Sequence, residues 1–237
     1  MSFTPAARRD LALVATGRGV SLLGDQVATL GLVLWASLRG EGALAVTALI
    51  VAASLPQLVA APLAGLLADR VPTRRLVATV SVLQSAVGVA LVAAVASGSL
   101  PLVVLGVLAL NVGQAVANPA WQALVPTIAT GDDLPRALSL LQTVTALAML
   151  VGPAVGGLLV GGLGISVALA VDAASYLALA VVALLLRVER RPEVQEHEKG
   201  AAWAGVQLVV RSPLLRAMLV LLATTLLAVG AVNVAEV

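Results

Sequence analysis

Gly65-Leu66-Leu67-Ala68-Asp69-Arg70-Val71-Pro72-Thr73-Arg74-Arg75 separates two long apolar runs, Ala43 to Ala68 and Leu76 to Ser97. One aspartate and three arginines fall within seven residues, and the apolar residues resume at once on the far side. A bilayer core takes about 20 apolar residues per helix. The stretch therefore reads as a tight basic turn between two membrane-spanning helices.

The rest of the chain agrees. Of its 237 residues, 60% are hydrophobic and 11% charged, with a mean hydropathy of +1.07. Soluble domains carry about 25% charged residues, so this chain lacks the polar surface to cover itself in water and belongs in a lipid bilayer. A net charge of +2 is too small to argue for a nucleic-acid partner. With no cysteine, thiolate metal sites, disulfides and cysteine nucleophiles are excluded. The single histidine, His197, stands in a charge-rich linker and reads as a solvated side chain. No phosphate-binding glycine loop, metal-ligand cluster or nucleophile–base pair is present, so neither an enzyme nor a cofactor is expected.

Seven spans are expected: Leu11–Leu38, Ala43–Ala68, Leu76–Ser97, Leu102–Val125, Ala137–Gly161, Ile165–Leu186 and Pro213–Val234. Arg8 and Arg9 ahead of the first run resemble the start of a signal peptide. The run is too long for one, however, and contains Arg18 and Asp25, so it reads as a retained helix. The links after spans one, three and five are a few residues each, which makes neighbouring helices antiparallel. Twelve of the fourteen basic residues, from Arg8 to Arg216, fall on the N-terminal side of this topology; Arg39 alone falls opposite, and Arg18 lies within a span. Basic residues stay cytoplasmic, so the N-terminus is expected inside and the C-terminus, after seven spans, outside. Residues 187–212 read as a cytoplasmic linker, in which Trp203 to Arg211 is either a short interfacial helix or a solvated loop. The organisation is thus a six-helix bundle over 1–186, a linker over 187–212 and a seventh helix over 213–237. Ala61-Pro62-x-x-Gly65 in span two and Gly152-Pro153-x-x-Gly156 in span five form an internal repeat running in opposite directions, as inverted three-plus-three transporter repeats do.

Few residues can carry chemistry. Asp25 lies near the middle of span one, where an ionised carboxylate costs about 3 kcal/mol on insertion scales. It should face the bundle interior or water. Arg18 shares its face, two turns away, and should snorkel toward the cytoplasm. Asp172 lies within span six. Ionisable groups at such depth mark ion or substrate paths, although they also serve to hold helices together. Asn111, Gln114, Asn118 and Gln122 fall on one face of span four, as the wall of a wet cavity or as interhelical hydrogen-bonding groups. Pro119 should kink that helix. Gly152, Pro153, Gly156 and Gly157 in span five read as close packing or as a hinge.

Taken together, these stretches resemble the major facilitator superfamily. Gly65, Asp69, Arg70, Arg74 and Arg75 match its loop between helices two and three, with Pro72 where a small residue is usual. Gly152-Pro153-x-x-Gly156-Gly157 is similar to the core of the antiporter motif in helix five, whose earlier glycines are Val144 and Ala148 here. Asn111 stands where proton-coupled members carry an arginine, three residues before Gln114. Ser21 to Gln26, Asn118 to Pro126, Ala137 to Gln142 and Asp172-Ala-Ala-Ser175-Tyr176 resemble the drug and siderophore exporter branch, of the macrolide-efflux and enterobactin-exporter type. The resemblance implies an all-α fold made of the N-terminal six-helix bundle plus a seventh span. It implies proton-coupled export of a small amphipathic compound across the inner membrane. Asp25, Arg18, Asn111, Gln114, Asn118 and Asp172 would line the proton or substrate path, and the loop motif would latch one conformation. Expected partners are the bilayer, the small-molecule substrate, and a missing C-terminal half or a second copy. An uptake facilitator, or a truncated remnant or interaction subunit without transport, are the alternatives.

Overall fold

The computed structural model of the protein describes residues 4–40, 42–59, 67, 70–188, 211–214, 216, 217 and 224. The chain divides into two compact units, residues 1–194 and 195–237. The first contains every element described below. In the second, Arg211, Pro213, Leu214, Arg216, Ala217 and Thr224 are helical. The interfacial segment from Trp203, His197 and most of the seventh span lie outside the described residues.

The helices of the first unit are α1 (Pro5–Leu38), α2 (Gly42–Val59), α3 (Thr73–Ser97), α4 (Leu100–Ile128), α5 (Leu134–Leu163) and α6 (Ile165–Leu185). A single 3₁₀ turn, Gly131–Asp133, precedes α5. Among the described residues five helices are long and apolar enough to cross a membrane, and the described part of α2 is apolar and shorter. The remainder of the expected second span, from residue 60, is outside the described residues apart from Leu67 and Arg70. Among the described residues the structure is all-α, a bundle of apolar helices suited to a membrane.

α1, α3, α4 and α5 begin ahead of the expected apolar runs, while α1 and α3 end, and α6 begins, where those runs do; caps and turns set these ends. α1 begins six residues before Leu11: Thr4 Oγ1 accepts the Ala7 N–H at 3.2 Å and Pro5 takes the first turn. α3 ends at Gly98 in the left-handed region, φ 71°, whose N–H bonds back to the last turn. α5 passes to α6 through a single residue, Gly164, at φ 85°. Such positive φ values are open to glycine at no steric cost, which is why these links can be so short.

The helices pack in a pattern that repeats. The α1–α5 pair is matched by α4–α2, and α1–α6 by α4–α3, with α3 against α6 between them. Exchanging α1 with α4, α2 with α5 and α3 with α6 leaves this pattern unchanged, as two inverted three-helix units require.

Two apolar clusters fill the interior. One, around Val14, Val77, Trp121, Leu124 and Ala183, lies toward the end that carries the α1 N-terminus. The other, around Trp35, Leu49, Leu91, Val103 and Leu169, lies toward the opposite end. Between them lie buried polar side chains, among them Ser21, Gln84, Asp172 and Ser175.

At the α1 N-terminal end, the last turn of α6 is held from two sides. Arg9 of α1 donates to the Leu185 carbonyl at 3.3 Å, and Arg74 of α3 donates to the Leu184 carbonyl. The Asp10 carboxylate, fully buried, accepts the N–H groups of Arg187 and Val188 at 3.0 and 3.1 Å. Cations on terminal carbonyls and a carboxylate on the following amides satisfy groups that a helix end leaves open. These bonds bring Arg9, Arg74 and the start of the expected linker to one end of the bundle. At the other end Arg39 stacks over Trp35 at 5.2 Å and donates to the Gly98 carbonyl.

Candidate functional site

The polar layer is centred on Asp25. At helical rise it lies about 20 Å from the C-terminal end of α1, close to the middle of a hydrocarbon core roughly 30 Å thick. The bundle supplies its partners from two other helices. Gln114 Nε2 of α4 donates to one carboxylate oxygen at 2.7 Å, and the Tyr176 hydroxyl of α6 donates to the other. Gln114 Nε2 also lies 3.4 Å from the Tyr176 oxygen. Donors on both oxygens offset part of the desolvation that an unpaired carboxylate would suffer here.

Asp172 sits one turn before Tyr176 on the same face of α6 and is 2% exposed. Its Oδ1 has no hydrogen-bond partner among the described residues. Gly24, next to Asp25, permits the two helices to approach: a Cβ there would lie 2.6 Å from Asp172 Oδ1 and 3.2 Å from Asp172 Cα. The two aspartates therefore lie at one α1–α6 crossing.

Arg18 differs from the snorkelling orientation expected of it. Its guanidinium donates to Asn118 Oδ1 of α4 at 3.3 Å and is partly buried. An amide acceptor within reach removes the need to extend to the interface. Asn111 donates to the Val107 carbonyl of its own helix at 2.9 Å. Gln122, the fourth member of the polar α4 face, is exposed. α4 remains helical through Pro119 and Pro126.

A cavity of about 520 Å³ opens beside this layer, bounded by α1, α2, α4, α5 and α6. Asp25, Asn111, Gln114, Asn118 and Asp172 all line it, together with Tyr176 and apolar side chains such as Leu32, Ile50 and Met149. Its size and mostly apolar wall with a few convergent polar groups suit a small organic molecule. Arg18 is absent from this wall and lines a smaller void on the opposite side of Asp25.

The other residues singled out in the sequence sit apart from the cavity. Gly152 and Gly156 of α5 face α1, where added Cβ atoms would meet Gln26 at 2.5 Å and the Val27 backbone at 3.1 Å. Gly157 is exposed, with only Leu30 at 4.0 Å, and Pro153 is exposed within a continuous helix. In the loop motif Arg74 holds the end of α6, Arg70 and Arg75 are exposed, and Gly65 and Asp69 lie outside the described residues. Tyr176 and Gln84 were not singled out by residue chemistry. Tyr176 was legible in principle, four residues after Asp172 and hence on its face. Gln84 was legible as the lone amide deep in α3, where it donates to the Leu110 carbonyl at 3.1 Å.

With this geometry, one comparison is decisive. The sequence profile of the Major Facilitator Superfamily matches residues 14–235, nearly the whole chain. The chain belongs to the major facilitator superfamily. No curated protein matches it. Superfamily members are transporters, so this chain is a multi-pass membrane protein of the transporter class.

Proposed function

We propose that this major facilitator chain is the N-terminal bundle of a proton-coupled exporter of small amphipathic compounds in the cytoplasmic membrane, with its N-terminus inside. The observation that carries this reading is the 520 Å³ cavity at mid-membrane depth, apolar over most of its wall and bordered by two carboxylates. The apolar wall suits the hydrophobic part of a substrate. Asp25 can exchange a proton with the cavity, and its two donors hold the carboxylate in one orientation. Asp172, Asn111, Gln114 and Asn118 supply further polar contacts, and Arg18 anchors the layer through Asn118.

Alternating access needs a second bundle that rocks against this one. Support for such a partner comes from α5, whose buried residues are only Ala137, Ala148, Gly152 and Gly156. Further chain or a second copy would close the cavity, and the loop from Gly65 to Arg75 would latch against it. Gly152 and Gly156 would allow α5 to slide on α1 as the cavity opens.

The test is efflux from vesicles containing the transport-competent assembly. A fluorescent amphipathic compound should leave faster under an imposed pH gradient, and Asp25→Asn should abolish the gradient's effect while leaving membrane insertion normal. Gradient-independent export, or unchanged export by Asp25→Asn, would remove the coupling role.

A further inference from the structure

The smaller void on the other side of Asp25 has a volume of about 10 Å³. Arg18 and Ser21 of α1, Gln84 of α3 and Trp121 of α4 line it, and Leu22, Asp25, Gln114 and Asn118 form its boundary with the large cavity. It lies one to two turns from Asp25 toward the end that carries the α1 N-terminus. The size is at the threshold for one water molecule.

Two observations identify what it would hold. Trp121 is 2% exposed, and its Nε1–H has no hydrogen-bond partner among the described residues. An indole N–H is a donor only, and buried tryptophans almost always find an acceptor. The wall also carries the Arg18 guanidinium, again a donor only. An occupant must accept from Trp121 or Arg18 and donate to the Asp25 carboxylate. A metal cation cannot accept a hydrogen bond and would be repelled by Arg18. An anion cannot donate to Asp25. A water molecule does both, and a space of about 10 Å³ suits one.

The geometry points to a single-water site that bridges the Trp121 indole to the Asp25 carboxylate and continues the polar layer toward Arg18 and Asn118. Water there gives Asp25 a hydrogen-bonded neighbour on the side away from the substrate cavity. A proton can then reach or leave the carboxylate without crossing the space that the substrate occupies. That use of the site rests on the coupling proposed above; the existence of the site does not. Trp121 is then a positioning residue, acting on Asp25 through the water.

The chain has three tryptophans, Trp35, Trp121 and Trp203, so its indole N–H groups give three separable resonances when isotope-labelled on nitrogen. The chain is purified in lipid nanodiscs, and Trp121→Phe, which keeps an aromatic ring, assigns the signal. Magnetisation transfer from water to the Trp121 N–H is expected, although the group is buried at membrane depth. Asp25→Asn should shift that signal while leaving the Trp35 signal, in the other apolar cluster, in place as a check on folding. Asp10→Asn, at the end of the bundle, should leave the Trp121 signal unmoved. A Trp121 resonance without water transfer overturns the proposal, as does one that ignores Asp25→Asn. A positive result here together with gradient-independent transport in vesicles would leave the water site standing and remove the coupling role alone.

Discussion

At the scale of single residues, the chemistry of this protein concentrates on Asp25 and what touches it. Tyr176→Phe removes one donor and leaves the ring in its packed position. Bonds to charged groups contribute about 1.5–3 kcal/mol, so the ionised carboxylate loses stabilisation of that order. The expected outcome in the transport-competent assembly is a displaced pH profile of export with normal protein levels, read by vesicle efflux at several pH values. A purely structural tyrosine would lower protein levels or thermal stability and leave the profile in place. The residue scale also shows what the sequence can disclose. Asp25, Asn111, Gln114, Asn118 and Asp172 stand out because polar groups are rare inside apolar spans, and helical spacing puts the α4 group on one face. Which of them meet was not legible. The Gln114 and Tyr176 bonds to Asp25 span 89 and 151 residues and depend on helix crossings that no local pattern encodes. Arg18 shows the same limit: its depth was readable, and its choice of Asn118 over the interface was not.

At the scale of elements, the glycines of α5 separate packing from mere composition. Gly→Ala within a helix gains about 0.5–1 kcal/mol when space is free. Gly157→Ala has that space and should raise the melting temperature of the detergent-solubilised chain slightly. Gly152→Ala places a methyl 2.5 Å from Gln26 Cβ, and overpacking of this kind costs roughly 1–3 kcal/mol. It should lower the melting temperature, and equal effects at the two sites would contradict the α1–α5 contact. The clamp on α6 offers a second test. Asp10→Ala leaves the Arg187 and Val188 amides without their acceptor, at a cost of about 1–3 kcal/mol. Faster hydrogen exchange should appear at those two amides first. Five of the seven expected spans coincide with helices long and apolar enough to cross a membrane, and the expected ends Leu38 and Ser97 and the start Ile165 match, whereas the starts of α1, α3, α4 and α5 lie outside the apolar runs. At α1 the difference comes from the Thr4 cap, which hydropathy does not register.

At the scale of the whole molecule, topology and activity can be checked separately. Reporter fusions after Gly98 and Gly162 should read outside, and fusions after Thr73 and Pro192 inside, because the basic residues gather at one end. A cytoplasmic signal at Gly98 would break the assignment. On the proposed two-bundle mechanism, residues 1–237 reconstituted by themselves should show no saturable, gradient-dependent efflux above empty vesicles. Efflux lost on Asp69→Asn would instead indicate a working dimer of this chain.

The distance along the chain between Asp25 and its partners also bears on how the protein is made. α1 leaves the ribosome before α4 and α6, carrying a carboxylate for mid-membrane while its two hydrogen-bond donors, 89 and 151 residues downstream, remain untranslated. Asp10 waits longer still, for amides 177 and 178 residues downstream. The first helix must therefore be sheltered by the insertion machinery until α4 and then α6 arrive, and only the sixth helix completes both ends of the arrangement. Nascent chains stopped before Tyr176 should remain associated with the translocon and be prone to degradation, and those stopped beyond Val188 should be released. That outcome would make the last helix of the bundle the quality checkpoint for the first.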